Sequence, residues 1–241
     1  MTVRSLRRPV ALAVAVALLL GACSGGATSV PSHAPSPAAS AAASLAASAA
    51  AGTGTGSTGC PTSAPAPMAA ADTATVTLTT AKGNIVIKVT GSLAPNATGN
   101  FVALAACGFY DGVVFHRLMP GFVIQAGDGQ YGRAPNLDAA RIGTGGPGYT
   151  IMDDPVTTPY RRGTVAMARI PAPNSQGSQF FIVLTDGAAP ALAAANPYAI
   201  MGEVTSGMDV VDTIAAMPNS GGQEGLALEP VAITKVTVTR P

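Results

Sequence analysis

The alternation of apolar and polar positions changes character along the chain, and its most regular stretches lie beyond Asp72. "TATVTLTTAKGNIVIKVT", residues 73–90, alternates β-branched with other residues on both sides of Lys82-Gly83-Asn84 and predicts a β-hairpin. "APNATGNFVALAACGFYDG" opens on the start signals Pro95 and Asn96, sets Phe101, Leu104 and Ala105 at helical spacing, and reaches a stop at Gly108. In "FHRLMPGFVIQAGD", Phe115 to Asp128, two apolar bursts flank Pro120-Gly121 and predict strand, tight turn, strand. A long Gly- and Pro-rich segment then runs to Arg162. "GTVAMARI", "SQFFIVLT" and "YAIMGEV" follow as strands. "MDVVDTIAAM" places Met208, Val211 and Ala215 on one helical face with Ile214 beside them, and "VAITKVTVTR" alternates again as a closing strand.

The tally is about eight strands and two helices, with no βαβ rhythm and no internal repeat. This predicts a mostly β domain: a closed eight-stranded antiparallel barrel capped by two α-helices.

The chain before Asp72 has no such pattern. Arg4, Arg7 and Arg8 precede the apolar run Pro9–Leu20, which has signal-peptide length and is short for a membrane span. Leu20-Gly21-Ala22-Cys23 resembles the lipobox of bacterial lipoproteins. The resemblance implies removal of residues 1–22 and acylation of Cys23; an ordinary secretion signal is the alternative. Several acyl chains give stable anchoring, so an extracytoplasmic location on the bacterial cell membrane is expected. Residues 23–71 are mostly Ala, Ser, Gly, Pro and Thr and offer little apolar surface to offset chain entropy, as expected of a disordered tether. Residues 72–241 are then one domain. His33, in the tether, receives no role.

Composition narrows the chemistry. Of 13 basic residues three belong to the signal, leaving ten against 12 acidic ones, a net charge near −2. With no Lys/Arg cluster in the domain, no nucleic-acid footprint is expected. The domain holds a single histidine, His116, so the usual His/Cys zinc ligand set is lacking and no metal site is expected. No G-x-S-x-G elbow is present. "GTGGPG", Gly143–Gly148, matches a dinucleotide fingerprint in letters, but not in its place between strand and helix. Asp153-Asp154 reads as a solvated loop pair whose side chains diverge. Cys60 and Cys107 remain once Cys23 is taken by lipid; a bridge between them and a buried free Cys107 are both open.

Arg117 is the anomaly of the apolar stretch, because a permanent cation is rarely buried without a partner. It would share a strand face with its i±2 neighbours, and a plain salt bridge is the simplest role for it. Phe122, Val123 and Phe181 read equally as core, and Gln125 and Gln179 as partners for backbone groups.

Taken together, "FHRLMPGFVIQAGD", "GTGGPGY", "GTVAMAR" and "GSQFFI" resemble the cyclophilin family of peptidyl-prolyl cis–trans isomerases over about 170 residues. The resemblance implies the eight-stranded barrel with two helices, and an enzyme that speeds rotation of X–Pro bonds without a cofactor. It assigns catalysis to Arg117, Phe122 and Gln125. Val123, Ala168, Arg169, Gln179, Phe181, Leu192 and Tyr198 are assigned to substrate binding. The implied partners are unfolded or flexible polypeptides containing proline, and a monomer is expected. A binding module for such peptides, with little turnover, is the alternative.

Several positions depart from the family pattern. Val123 stands where methionine is common, Tyr198 where histidine is common, and Arg169 where others carry asparagine. The chain has no tryptophan, which implies weak cyclosporin binding. The segment before "GTGGPGY" is long and is expected to influence access to the groove.

Overall fold

The computed structural model describes residues 59–241 apart from Asn196. The expected signal segment, Cys23 and most of the expected tether lie outside these residues. Eight strands form a closed barrel in the order β1-β2-β7-β5-β6-β4-β3-β8, with every named pairing antiparallel. They are β1 Thr73–Thr80, β2 Gly83–Thr90, β3 Val114–Met119, β4 Val123–Ala126, β5 Thr164–Met167, β6 Phe180–Val183, β7 Ile200–Ser206 and β8 Leu226–Thr239. The predicted hairpin is β1–β2, with Thr80 paired to Gly83.

Both expected helices are present. In α1, Pro95–Ala106, proline occupies the first turn, and Phe101, Leu104 and Ala105 are buried. Gly108, at φ +80°, ends it in the left-handed region that favours glycine. In α3, Met208–Ala215, the buried residues are Val211, Ile214 and Ala215. A third helix, α2 at Ala189–Ala195, was not expected. Alanine is the best helix former, and Pro190 falls in the first turn, where a missing N–H costs little.

Strands β4, β5 and β6 are largely apolar, Gln125 and Thr164 excepted, because both faces are mostly covered. Ile124, Ala126, Val165, Met167, Phe180 and Ile182 point into the main core. Their neighbours Val123, Ala166, Phe181 and Val183 join a second cluster with Tyr160, Ala188, Leu192 and Ile200. In the main core, Phe180 meets Phe101 edge to face with ring centres 5.2 Å apart, which fixes α1 against the barrel.

Three expectations are corrected. Asp154 is not solvated: at 3% exposure it accepts hydrogen bonds from the Asn96 and Ala97 backbone N–H groups and caps α1. Asp153 turns elsewhere, accepting from the Asn174 N–H and Gln176 Nε2. Residues 59–71 are not loose tether. Cys60 is disulfide-bonded to Cys107, Met68 is buried, and the Met68 N–H donates to the Pro95 carbonyl over 2.9 Å. Gly91 and Gly99 let this segment lie close, since a Cβ at either would meet its backbone carbonyls, Ala69 O and Ala66 O. Finally, alternation fails along β3, whose register against β8 shifts between Phe115 and Arg117. Phe115 is buried in the core with Leu118, so Arg117 shares its face with Met119 but not with Phe115.

Candidate active site

Register alone aligns a row of residues across four neighbouring strands. Arg117 on β3 pairs with Gln125 on β4, Gln125 with Phe181 on β6, and Phe181 with Ala166 on β5. A parallel row runs from Met119 through Val123 to Val183. Residues so paired share a face, and here it is the outer face, away from the main core. The tight turn that joins the two β strands carrying these rows is closed by the Phe122 N–H donating to the Met119 carbonyl over 2.9 Å. Gly121 takes φ +76° in that turn, a conformation that favours glycine.

Over these rows lies a groove of roughly 500 Å³. Its walls include nine of the ten expected site residues: Arg117, Phe122, Val123, Gln125, Ala168, Arg169, Phe181, Leu192 and Tyr198. Val123, Phe181 and Leu192 are buried and form an apolar floor. Tyr198 stands over that floor, edge to face with Phe181 at 5.2 Å. Gln179, the tenth residue, lies in an adjoining depression that also touches Gln125, Ala168 and Arg169 and is walled by the 143–150 loop.

Arg117 is half-buried at the rim. Its Nη1 donates to Gln125 Oε1 over 3.3 Å, its Nη2 to the Gln223 carbonyl over 2.8 Å, and its Nε to the Gln223 and Glu224 carbonyls. A guanidinium carries five N–H groups, so one on Nη1 and one on Nη2 have no partner among the described residues. Burial pulls the Arg117 pKa down from the ordinary arginine value, and the nearby Tyr198 opposes that shift. No carboxylate among the described residues forms an ion pair with Arg117. The cation is held by neutral oxygens, so its charge is not cancelled.

The two glutamines form a chain behind the arginine. Gln125 Nε2 donates to Gln179 Oε1 over 2.9 Å, and Gln179 Nε2 donates to the Gly143 and Gly145 carbonyls at 2.9 and 2.8 Å. Both amides are thereby locked in one orientation, with Gln125 presenting oxygen to Arg117.

Arg169 is placed differently from the expectation of a substrate contact. Its side chain is 5% exposed; Nη1 pairs with Asp153 at 3.0 Å, and Nε and Nη2 donate to the Ile170 and Ala172 carbonyls. The guanidinium is thus engaged by carbonyls of its own loop and by Asp153 of a neighbouring segment. The long 129–142 segment likewise stays clear of the groove and contributes only Gln130, to the adjoining depression.

Sequence reasoning missed Met119, Ala195 and Gln223 in the groove wall. Met119 was recoverable from its i+2 spacing to Arg117. Gln223 and Glu224 act through main-chain carbonyls, which every residue has, so no side chain announces them.

The wider comparison points the same way. The family model for cyclophilin type peptidyl-prolyl cis-trans isomerase/CLD matches residues 75–238. A relative from Brucella abortus (strain 2308), named "Probable peptidyl-prolyl cis-trans isomerase", is 40% identical over 172 residues, covering 70% of this chain and 85% of its own. A peptidyl-prolyl cis-trans isomerase of Streptomyces antibioticus is 35% identical over 171 residues, covering 68% of this chain and 98% of its own. Among solved structures, a Cryptosporidium parvum cyclophilin type isomerase, crystallised in the presence of the dipeptide Ala-Pro, is similar with a TM-score of 0.57. It is 29% identical and covers 68% of this chain and 98% of its own. Barrel topology, groove and motif order thus converge with descent, and the chain belongs to the cyclophilin-type peptidyl-prolyl cis–trans isomerases.

Proposed function

We propose that this isomerase works on proline-containing segments of proteins outside the cytoplasm, using Arg117 to stabilise the X–Pro amide midway through its rotation. Rotation is opposed by a barrier of ~20 kcal/mol, because planarity preserves resonance. At the twisted midpoint resonance is lost and the proline nitrogen gains a lone pair. A donor aimed at that nitrogen favours the midpoint over either planar isomer, and only such differential binding accelerates the step.

The observation that carries this reading is the state of Arg117: a charged guanidinium at the rim of an apolar floor, with two N–H groups uncommitted among the described residues. One would meet the prolyl carbonyl and the other the pyramidal nitrogen. The proline ring would rest on Val123, Phe181 and Leu192 under Phe122 and Tyr198. The residues before proline would run past Ala168 and the main chain of Arg169 toward Gln179. The Arg169 guanidinium would serve by holding its loop rather than by touching the peptide. The reaction moves no proton and forms no covalent bond, so none of these residues need act as base or nucleophile.

The location rests on the amino-terminal pattern. Cleavage before Cys23 and acylation of its thiol would tether the domain to the outer face of the bacterial cell membrane, among emerging chains in need of proline isomerisation. Membrane fractionation of wild type and Cys23→Ser tests this; a wild-type protein recovered unlipidated in the soluble fraction contradicts it. For the mechanism, wild type is expected to accelerate isomerisation of a proline tetrapeptide and Arg117→Ala to lose most of that acceleration. Equal rates, or no acceleration by either protein, defeat the reading.

A further inference from the structure

Asp128 lies outside the groove, yet it is the most heavily engaged acidic side chain near it. It is fully buried and accepts four backbone hydrogen bonds. Oδ1 receives the Gln130 and Tyr131 N–H groups at 3.0 and 2.8 Å, and Oδ2 receives those of Gly143 and Gly145 at 2.7 and 3.0 Å. A buried carboxylate needs such donors to offset lost hydration. The question is what the arrangement accomplishes beyond satisfying the charge.

The answer follows from the other side of the same two glycines. The carbonyls of Gly143 and Gly145 are the two acceptors for Gln179 Nε2. One carboxylate oxygen therefore holds both N–H groups of a loop whose carbonyls orient the Gln179 amide. If that loop moved, Gln179 would lose the contacts that make its NH₂ point away from Gln125. Its oxygen would no longer be fixed to accept from Gln125 Nε2, and Gln125 would be free to flip and turn its own NH₂ toward Arg117. Two donors would then face each other. Gly145 shows how little slack exists, since a Cβ there would run directly onto Asp128 Oδ1 and within 2.8 Å of the Gln130 Cβ.

We infer that Asp128 is a positioning residue for isomerisation, acting through the 143–145 loop, Gln179 and Gln125 to fix the guanidinium of Arg117. The inference rests on the catalytic reading of Arg117. It assigns Asp128 no contact with substrate. Its effect is on the fraction of time the arginine spends aimed at the prolyl amide, so it alters kcat more than KM.

A double-mutant cycle tests it, with isomerisation of a proline tetrapeptide measured on wild type, Asp128→Asn, Gln179→Ala and the double variant, each normalised to its folded fraction. Misplacement of a catalytic group by about 1 Å costs on the order of a hundredfold, so Asp128→Asn is expected to lower kcat roughly ten- to a hundredfold. In the Gln179→Ala background the same change is expected to cost less than about twofold, because the link it works through is gone. Gly145→Ala, which disturbs the loop while keeping the carboxylate, is expected to show the same dependence on Gln179 and serves in its place if Asp128→Asn does not fold. Equal fold-losses in both backgrounds, or full activity in Asp128→Asn, overturn the inference. Arg117→Ala run alongside separates the two levels: if it retains wild-type activity the catalytic reading itself fails, whatever the cycle shows.

Discussion

Arg117 and Gln125 are directly paired across β3 and β4, and Arg117 Nη1 donates to Gln125 Oε1 over 3.3 Å. The pairing places an acceptor, not a counter-charge, beside the guanidinium. Gln125→Ala removes that acceptor and leaves the two main-chain carbonyls of Gln223 and Glu224 to hold the arginine. We predict that it lowers kcat/KM for a proline tetrapeptide roughly tenfold or more. Because Gln125 is only partly buried, its thermal midpoint should stay near that of wild type. Unchanged catalysis in this variant would show that Arg117 needs no such anchor.

Phe181 has a double duty, as the floor of the groove and as a member of the second apolar cluster. Truncating a buried phenylalanine typically costs ~3–5 kcal/mol. Phe181→Ala should lower the denaturation midpoint in urea and, measured on folded protein, weaken binding of a proline peptide. Wild-type affinity in the folded variant would mean that the proline ring rests elsewhere.

His116 is buried, neither ring nitrogen has a well-formed hydrogen bond among the described residues, and burial lowers its pKa to about 4 despite the opposing influence of nearby Asp128 and the Val114 backbone. An unfolded histidine titrates near ~6.5. Between these values the unfolded chain binds the extra proton and the folded one does not, so stability falls as pH drops through that window. The loss levels off below about pH 4 and amounts to roughly 3 kcal/mol. Chemical denaturation from pH 7.5 to 4 should show this slope, and His116→Phe should flatten it. A slope of the same size in the variant would assign the acid sensitivity to other groups.

The Cys60–Cys107 bond spans 47 positions. On the chain-entropy account, closing such a loop stabilises the fold by about 4 kcal/mol. Reduction, or Cys60→Ser, should lower the thermal midpoint and release residues 59–71 to proteases while leaving kcat/KM unchanged, since the bond touches no groove residue. Thiol titration of the denatured, unreduced protein should find neither cysteine.

The strengths of sequence reasoning on this chain have physical causes. The β1–β2 hairpin and α1 were legible because one face of each is buried, and periods of two and 3.6 residues report that asymmetry. Strands β4 to β6 were legible only as apolar runs, because covering both faces erases the alternation. The residues that line the groove could be grouped only through the resemblance, not through their periodicity: Val123 and Phe181 look like core because they are buried. What stayed hidden depended on distant partners. Nothing near Asp154 reveals that it caps a helix beginning at Pro95, and nothing in the letters of Arg169 reveals its engagement with Asp153. Carbonyls such as those of Gln223 and Glu224 carry no side-chain signature at all.

The mechanism claims that Arg117 binds the rotating amide better than the resting one. The most direct measurement is the cis–trans exchange rate of an X–Pro peptide while bound, by NMR line shapes, together with the peptide dissociation constant, for wild type and Arg117→Ala. The account predicts an on-enzyme exchange rate that falls roughly a hundredfold or more, with the dissociation constant changed only severalfold. An exchange rate that persists in the variant while affinity collapses would mean that Arg117 merely holds the peptide, and would contradict the account.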